Sequence, residues 1–211
     1  MNKTDILREI EKKGAEATDI ADKVIKNPDL LLVLLNGISS ATARIKFGSA
    51  KILRMISDRA PELLYPSFEF FVSLLDSDNN ILKWNAMDII GNLTKVDSHN
   101  EFNRLFKKFF GYLYEGGLIT AGHVVDNSAK IALAKPELQD EITKELLKVG
   151  KIPLPTEECR SIIVGKTINA FYVYCDEIED KDEIISFVKR QVNNQRNATR
   201  SKAERFLKRF A

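Results

Sequence analysis

The chain has 211 residues, of which 44% are hydrophobic and 29% charged, and a net charge of +2, a composition typical of a folded globular protein. The longest apolar run, residues 30–35, is too short to cross a bilayer, and residues 1–23 are charged throughout, unlike a signal peptide. Two cysteines are too few for a disulfide framework or a zinc site. We therefore expect a cytoplasmic protein without membrane contact.

Apolar residues recur at spacings of three and four along the chain, which predicts α-helices rather than strands. Residues 4–26 predict one or two helices ahead of a repeated pattern. That pattern begins at Ile45 and returns from Leu82, 37 residues later. Weaker copies begin at Thr120, Arg160 and Thr199, so the steps between the five copies are 37, 38, 40 and 39 residues. Such a regular period predicts a repeat protein.

Each copy is preceded by a turn and by another apolar helix, so the chain predicts five helix pairs. Pro28, Pro61 and Pro136 mark the first helix in three of these pairs, since proline is favoured in the first turn of a helix. Gly116 and Gly117 are typical of the turn inside the third pair. The predicted repeats span residues 28–58, 61–96, 100–134, 136–177 and 181–210. No linker separates them, which predicts a single domain over residues 1–211.

Residues at fixed places in these pairs resemble those of the HEAT repeat class of α-solenoids. In the second pair they are Pro61 at the first helix, Asp76 or Asp78 in the turn, and Lys83 entering the second helix. Arg200 corresponds to Lys83 in the fifth pair. The resemblance covers all five pairs and implies an all-α fold: a right-handed α-solenoid, or superhelix, of about five antiparallel helix pairs plus the N-terminal helix. It also implies a non-enzymatic interaction scaffold, in which the second helices line a concave, partner-binding face.

Polar residues on the outward side of the second helices predict the partner-binding stripe of this concave face. Helical spacing places them away from the apolar core positions. The stripe consists of Lys51, Asn85, Asp88, Asn92, His123, Asp126, Lys130 and Lys166. A protein is the expected partner, and a solvated helix face without a partner is the alternative. Trp84 and Phe47 flank the stripe, where they are expected to seal the joint between neighbouring helices; the alternative is that they anchor a partner.

The C-terminal segment concentrates positive charge. Residues 189–211 contain eight Lys or Arg and one Glu, which leaves −5 for the rest of the chain. Such a cluster attracts the phosphates of a nucleic acid. The residues predicted to bind them are Arg196, Arg200, Lys202, Arg205 and Arg209. The alternative is a polar terminal repeat that keeps the array soluble, and the lack of interleaved aromatic residues favours it.

Sequence patterns for catalysis or metal binding are weak. "VGKT", residues 164–167, lacks the glycine five positions upstream that a phosphate-binding loop needs. His123 and Asp126 share a helical face and could supply two metal ligands, with Asp88 in the neighbouring repeat as the third, or a polarised base. A polar stripe is the simpler interpretation. DNA glycosylases are built from similar helical repeats but resemble this chain only in fold, and a site with several aromatic residues and a carboxylate is not evident in the sequence. Trp84 with Asp88, one helical turn apart, is the pair to test for such a repair activity. We therefore predict no catalytic residue, no metal site and no cofactor.

Overall fold

The computed structural model describes residues 3–12, 14, 16–115 and 117–211, and within them the chain forms α-helices and short 3-10 helices without a β-strand. Lys13, Ala15 and Gly116, which belong to the predicted N-terminal helices and the third predicted turn, fall outside the described residues. None of the described helices has both the length and the apolar character that a membrane span requires. The prediction of an all-α fold is confirmed.

Helix contacts divide the chain into two units, Met1–His99 and Asn100–Ala211. The helices of the first unit are α1 (Lys3–Glu11), α2 (Ala17–Lys26), α3 (Leu31–Gly37), α4 (Ala43–Arg59), α5 (Phe68–Leu74) and α6 (Asn80–Leu93). Those of the second unit are α7 (Glu101–Gly111), α8 (Leu118–Ala134), α9 (Gln139–Leu147), α10 (Glu157–Tyr174), α11 (Asp182–Lys189) and α12 (Asn197–Phe210).

In the first unit, α4 is the central helix: it packs against α1, α2, α3 and α6, while α5 packs on α6. The sequence of α4 explains this position, because Ile52, Leu53 and Ile56 recur at helical spacing and form one apolar face. All three side chains are buried. A further side of α4 carries Gly48, where a Cβ would lie only 2.5 Å from Cγ2 of Ile10 in α1. The missing side chain at Gly48 therefore allows α1 to pack closely on α4.

In the second unit, α8, α10 and α12 lie side by side, with α10 in contact with both of the others. The helices α9 and α11 contact each other and pack on α8 and α12, respectively. Phe171 of α10 and Phe187 of α11 meet edge to face, with ring centroids 5.9 Å apart. The two rows of helices therefore share one apolar core.

Turn residues determine where several helices begin. Pro28, Pro61 and Pro136 each open a three-residue 3-10 turn, in agreement with their predicted place at the first helix of a pair. After Pro61, a second 3-10 turn, Tyr65–Ser67, comes before α5. The helix α6 begins after Asn79, whose side-chain oxygen accepts hydrogen bonds from two backbone N–H groups of the first turn.

Side chains on one second helix bond to the neighbouring second helix at about the predicted repeat distance. In the first unit, Asn92 of α6 donates to Oγ of Ser57 in α4 at 3.0 Å, across 35 positions in the sequence. In the second unit, Thr199 of α12 donates to the carbonyl of Ser161 in α10 at 2.8 Å, across 38 positions. Residues that lie about one repeat apart in the sequence therefore pack against each other.

Candidate partner-binding surface

A groove of about 260 Å³ lies between α8 and α10 in the second unit. Leu118, Ile119 and Ile162 provide apolar side chains along it, next to Gly122. Ile119 is 53% exposed, so this apolar surface faces solvent. A groove with apolar walls and a few polar groups is the usual character of a binding site.

The polar edge of the groove is formed by His123, Asp126 and Lys166, three residues of the predicted stripe. The Lys166 ammonium forms an ion pair with the Asp126 carboxylate, joining α10 to α8. The Lys166 stem lies over Gly122, where a Cβ would be 3.5 Å from its Cε. The structure therefore brings three predicted residues together in one groove. Lys130, also on α8, is exposed and lies outside it.

Lys202 of α12 lies on the other side of α10, over Gly165. A Cβ at Gly165 would be 3.6 Å from both Cδ and Nζ of Lys202. Within the part of the chain that the structure describes, the ammonium of Lys202 has no hydrogen-bond or ion-pair partner. Burial lowers the pKa of Lys202, and the neighbouring charges of Arg196, Lys166 and Arg205 lower it further, against a smaller opposing effect of Asp126. The ammonium is thus held in a positive environment.

Tyr172 of α10 lies beneath two arginines of α12. The guanidinium carbons of Arg205 and Arg209 are 4.8 and 4.9 Å from the centre of its ring, within the range of a cation–π contact. Arg205 also donates to Oδ1 of Asn169 at 3.2 Å, and Arg209 forms an ion pair with Asp176. These contacts fix both guanidinium groups against α10 and the 3-10 turn, Cys175–Glu177, that follows it.

Two further arginines of the predicted nucleic-acid cluster hold the chain just before α12. Arg196 forms an ion pair with Glu158 at 2.8 Å. Arg200 donates to the backbone carbonyls of Asn194 and Gln195 at 2.7 and 2.9 Å. Both side chains therefore stabilise the turn that leads into α12.

The stripe residues of the first unit differ widely in exposure. Lys51 of α4 is exposed, whereas Asn85 of α6 is half-buried and donates to the carbonyl of Ile81, one turn back. Asp88 forms an ion pair with Arg54 at 3.4 Å, with 16% of its side chain exposed. Asn92 is only 2% exposed, because its amide donates to Ser57 inside the contact between α4 and α6. Its side chain lies in a helix interface and not on an open face.

Sequence reasoning missed the apolar part of the groove. Ile119 comes one position before Thr120, the first core position of its repeat, and was assigned no role. The signal in the sequence was an isoleucine that lies outside the core face of its helix. The same signal occurs at Ile81, which comes directly before the core position Leu82 and is 44% exposed. Tyr172 was missed for a different reason, since its arginine neighbours come from α12, more than 30 positions away.

The structure gives the weak chemical patterns a helical setting. The "VGKT" segment lies inside α10 with Val164, Gly165 and Thr167 buried, so it does not form a loop around a phosphate. The described residues include no group of three His, Cys, Asp or Glu side chains placed to hold a metal ion. Trp84 is half-buried on α6, and Asp88 is paired with Arg54.

No protein-family profile and no curated protein sequence matches the chain. Among solved structures, it is similar to a designed armadillo repeat protein, with 14% identity, a TM-score of 0.63 and complete coverage of both chains. An engineered protein gives 14% identity and a TM-score of 0.59, covering 99% of this chain and 96% of the other. The fold is an armadillo-like helical repeat. This armadillo-like fold is all-α and belongs to the α-solenoids, and at such low identity the likeness concerns the fold alone.

Proposed function

We propose that the protein is a non-enzymatic scaffold of the HEAT-like type that binds a protein partner through α8, α10 and α12. The surface concerned, called the partner surface below, consists of Ile119, His123, Asp126, Ile162, Lys166, Lys202 and Arg205. The observation that carries this proposal is the groove between α8 and α10, where the exposed Ile119 and the partly exposed Leu118 and Ile162 lie beside charged side chains. Lys51, Asn85, Asp88 and Lys130 remain predicted partner contacts. The cytoplasmic location also remains part of the proposal.

A displayed library of unstructured peptides, selected on the immobilised protein, tests this function. The matched variants are Ile119→Asp in the groove and Leu32→Asp in α3, because the two side chains are 53% and 55% exposed. Peptides selected on the unmodified protein are expected to lose most of their binding to Ile119→Asp and to keep it with Leu32→Asp. The proposal fails if no peptide is enriched, or if both variants reduce binding equally. Circular dichroism shows whether each variant is folded.

Nucleic-acid binding through α12 is the second candidate, and the unpaired ammonium of Lys202 beside Arg205 favours it. Against it, Arg196 and Arg209 are neutralised by Glu158 and Asp176. Electrophoretic mobility shifts with single- and double-stranded oligonucleotides, at low and physiological salt, test this candidate directly. Binding that falls steeply with salt and is lost in Arg205→Glu supports it.

We propose no enzymatic activity. A glycosylase of the type considered above needs a carboxylate that is available to activate water or stabilise charge. The Asp88 carboxylate instead pairs with Arg54. A damaged-base release assay that yields product with the unmodified protein and not with Asp88→Asn would overturn this view.

A further inference from the structure

We propose that the partner surface binds an extended acidic peptide segment, with an apolar side chain in the groove between α8 and α10 and a carboxylate at Lys202. This inference rests on the proposed scaffold function and adds the chemical class of the partner. It makes Lys202 the residue that determines specificity, and Ile119 and Ile162 the residues that hold the apolar anchor.

The preference for an anion follows from how the charges around Lys202 are paired. Lys166 has Asp126 and Arg196 has Glu158 as an ionic partner, whereas Lys202 has none within the described residues. Its ammonium is partly shielded from water by its position over Gly165. Burial and three neighbouring cations lower its pKa, so a bound carboxylate would relieve an existing electrostatic cost. A charge-assisted hydrogen bond would form at the same point.

The spacing of the two subsites follows from Lys166, which takes part in both. Its side chain lines the groove, and its charge acts on Lys202 across α10. The axes of packed helices are about 8–10 Å apart, and an extended chain in the polyproline II conformation advances about 3.1 Å per residue, with every third side chain on the same side. An extended segment that passes from the groove to Lys202 therefore needs about three residues. The expected motif is an apolar residue and an acidic residue separated by two others.

A peptide fits these features better than a nucleic acid does. Leu118, Ile119 and Ile162 give the groove aliphatic walls, which bury an apolar side chain, and His123 at the edge is the one aromatic ring among its lining residues. Tyr172 is already covered by Arg205 and Arg209. Only one ammonium in this surface lacks a partner, whereas a nucleic acid presents a phosphate at every nucleotide.

Fluorescence anisotropy with labelled synthetic peptides tests the inference. The reference peptide has eleven residues, with Leu and Glu three positions apart in a neutral Ser and Gly background. One control places Leu and Glu seven positions apart, and others replace Glu by Gln or Leu by Ser. Peptides with Leu before Glu and with Glu before Leu are both used, so that both chain directions are tested. An oligonucleotide of eleven nucleotides serves as the competing class of ligand.

The protein variants are Lys202→Gln, Lys202→Arg and the matched control Lys208→Gln. Lys208 is exposed on the same helix, so the control removes the same charge from a different place. We expect Lys202→Gln to weaken the reference peptide by about tenfold or more, Lys202→Arg to retain most of the affinity, and Lys208→Gln to change it by less than about twofold. Replacing Glu by Gln in the peptide should abolish the difference between the unmodified protein and Lys202→Gln.

Equal effects of Lys202→Gln and Lys208→Gln would overturn the inference, because net charge alone would then explain the attraction. Equal affinity for the two spacings would overturn it too. So would an oligonucleotide that binds more tightly than every peptide and depends on Lys202. If library-selected peptides depend on Ile119 but ignore Lys202, the inference fails and the proposed scaffold function stands. If no peptide depends on Ile119 for binding, the proposed scaffold function fails and this inference fails with it.

Discussion

The contact between α10 and α12 depends on the absence of a side chain at Gly165. In a Gly165→Ala variant, the new Cβ would lie 2.8 Å from Oγ1 of Thr199, closer than real Cβ contacts. Thr199 is fully buried and donates to Ser161, so its hydroxyl has little room to move. Overpacking of this kind costs about 1–3 kcal/mol, and loss of the hydrogen bond adds about 1 kcal/mol. The higher helix propensity of alanine returns up to about 1 kcal/mol. We expect a net loss of about 1–3 kcal/mol in the free energy of unfolding.

Urea denaturation followed by circular dichroism measures this loss, with Gly111→Ala as the control. Gly111 ends α7, and a Cβ there meets no other atom within 4 Å, so its replacement should leave stability unchanged or slightly higher. A Thr199→Ala background removes the clashing oxygen and should reduce the cost of Gly165→Ala by about 1 kcal/mol or more. Equal stability of the two glycine variants, or an unchanged cost in the Thr199→Ala background, would refute the reasoning.

Three further predictions concern individual contacts. Burial raises the pKa of Tyr174, so as the pH rises the unfolded state loses its phenol proton before the folded state does. The stability that this group contributes is therefore present below about pH 10 and falls above it. Tyr174→Phe should reduce the fall in the free energy of unfolding at alkaline pH by up to about 1.4 kcal/mol per pH unit, measured by urea denaturation. Asn92→Ala removes the buried hydrogen bond to Ser57 and should lower the free energy of unfolding, measured by urea denaturation, by about 1–3 kcal/mol. A decrease below about 0.5 kcal/mol would indicate that the amide is solvated and not buried. Asp22→Asn breaks an exposed ion pair with Arg59 and should change the free energy of unfolding by less than about 1 kcal/mol, with no difference left in 1 M salt.

The helical fold could be predicted because burial in a helix is set by spacing along one chain segment. Leu53 and Leu93, which belong to the two clearest copies of the pattern, are both fully buried in the first unit. The exposure of polar residues was less predictable, since it depends on what the neighbouring helix presents. Asn92 follows the outward spacing, yet Ser57 on α4 draws its amide into the helix interface. Helical spacing alone contains no information about that partner.

The candidate site was predictable in part for the same reason. His123 and Asp126 share one face of α8, so their joint position at the groove follows from their spacing of three. The sequence showed Lys202 only as one member of a basic cluster. Its distinction from Arg196 arises because Glu158 of α10 reaches one of them and not the other. Such pairing depends on helix register and side-chain rotamers.

The bonds between neighbouring second helices also bear on how the protein folds. They join residues 34 to 40 positions apart, as in Asp88 with Arg54 and Lys166 with Asp126. In a repeat array each unit contacts only its neighbours, so each step of folding closes a loop of limited length. Each helix thus completes its contacts soon after its neighbours have formed. A defect introduced in α12 is therefore expected to loosen α10 first and to leave α2 and α4 as stable as before.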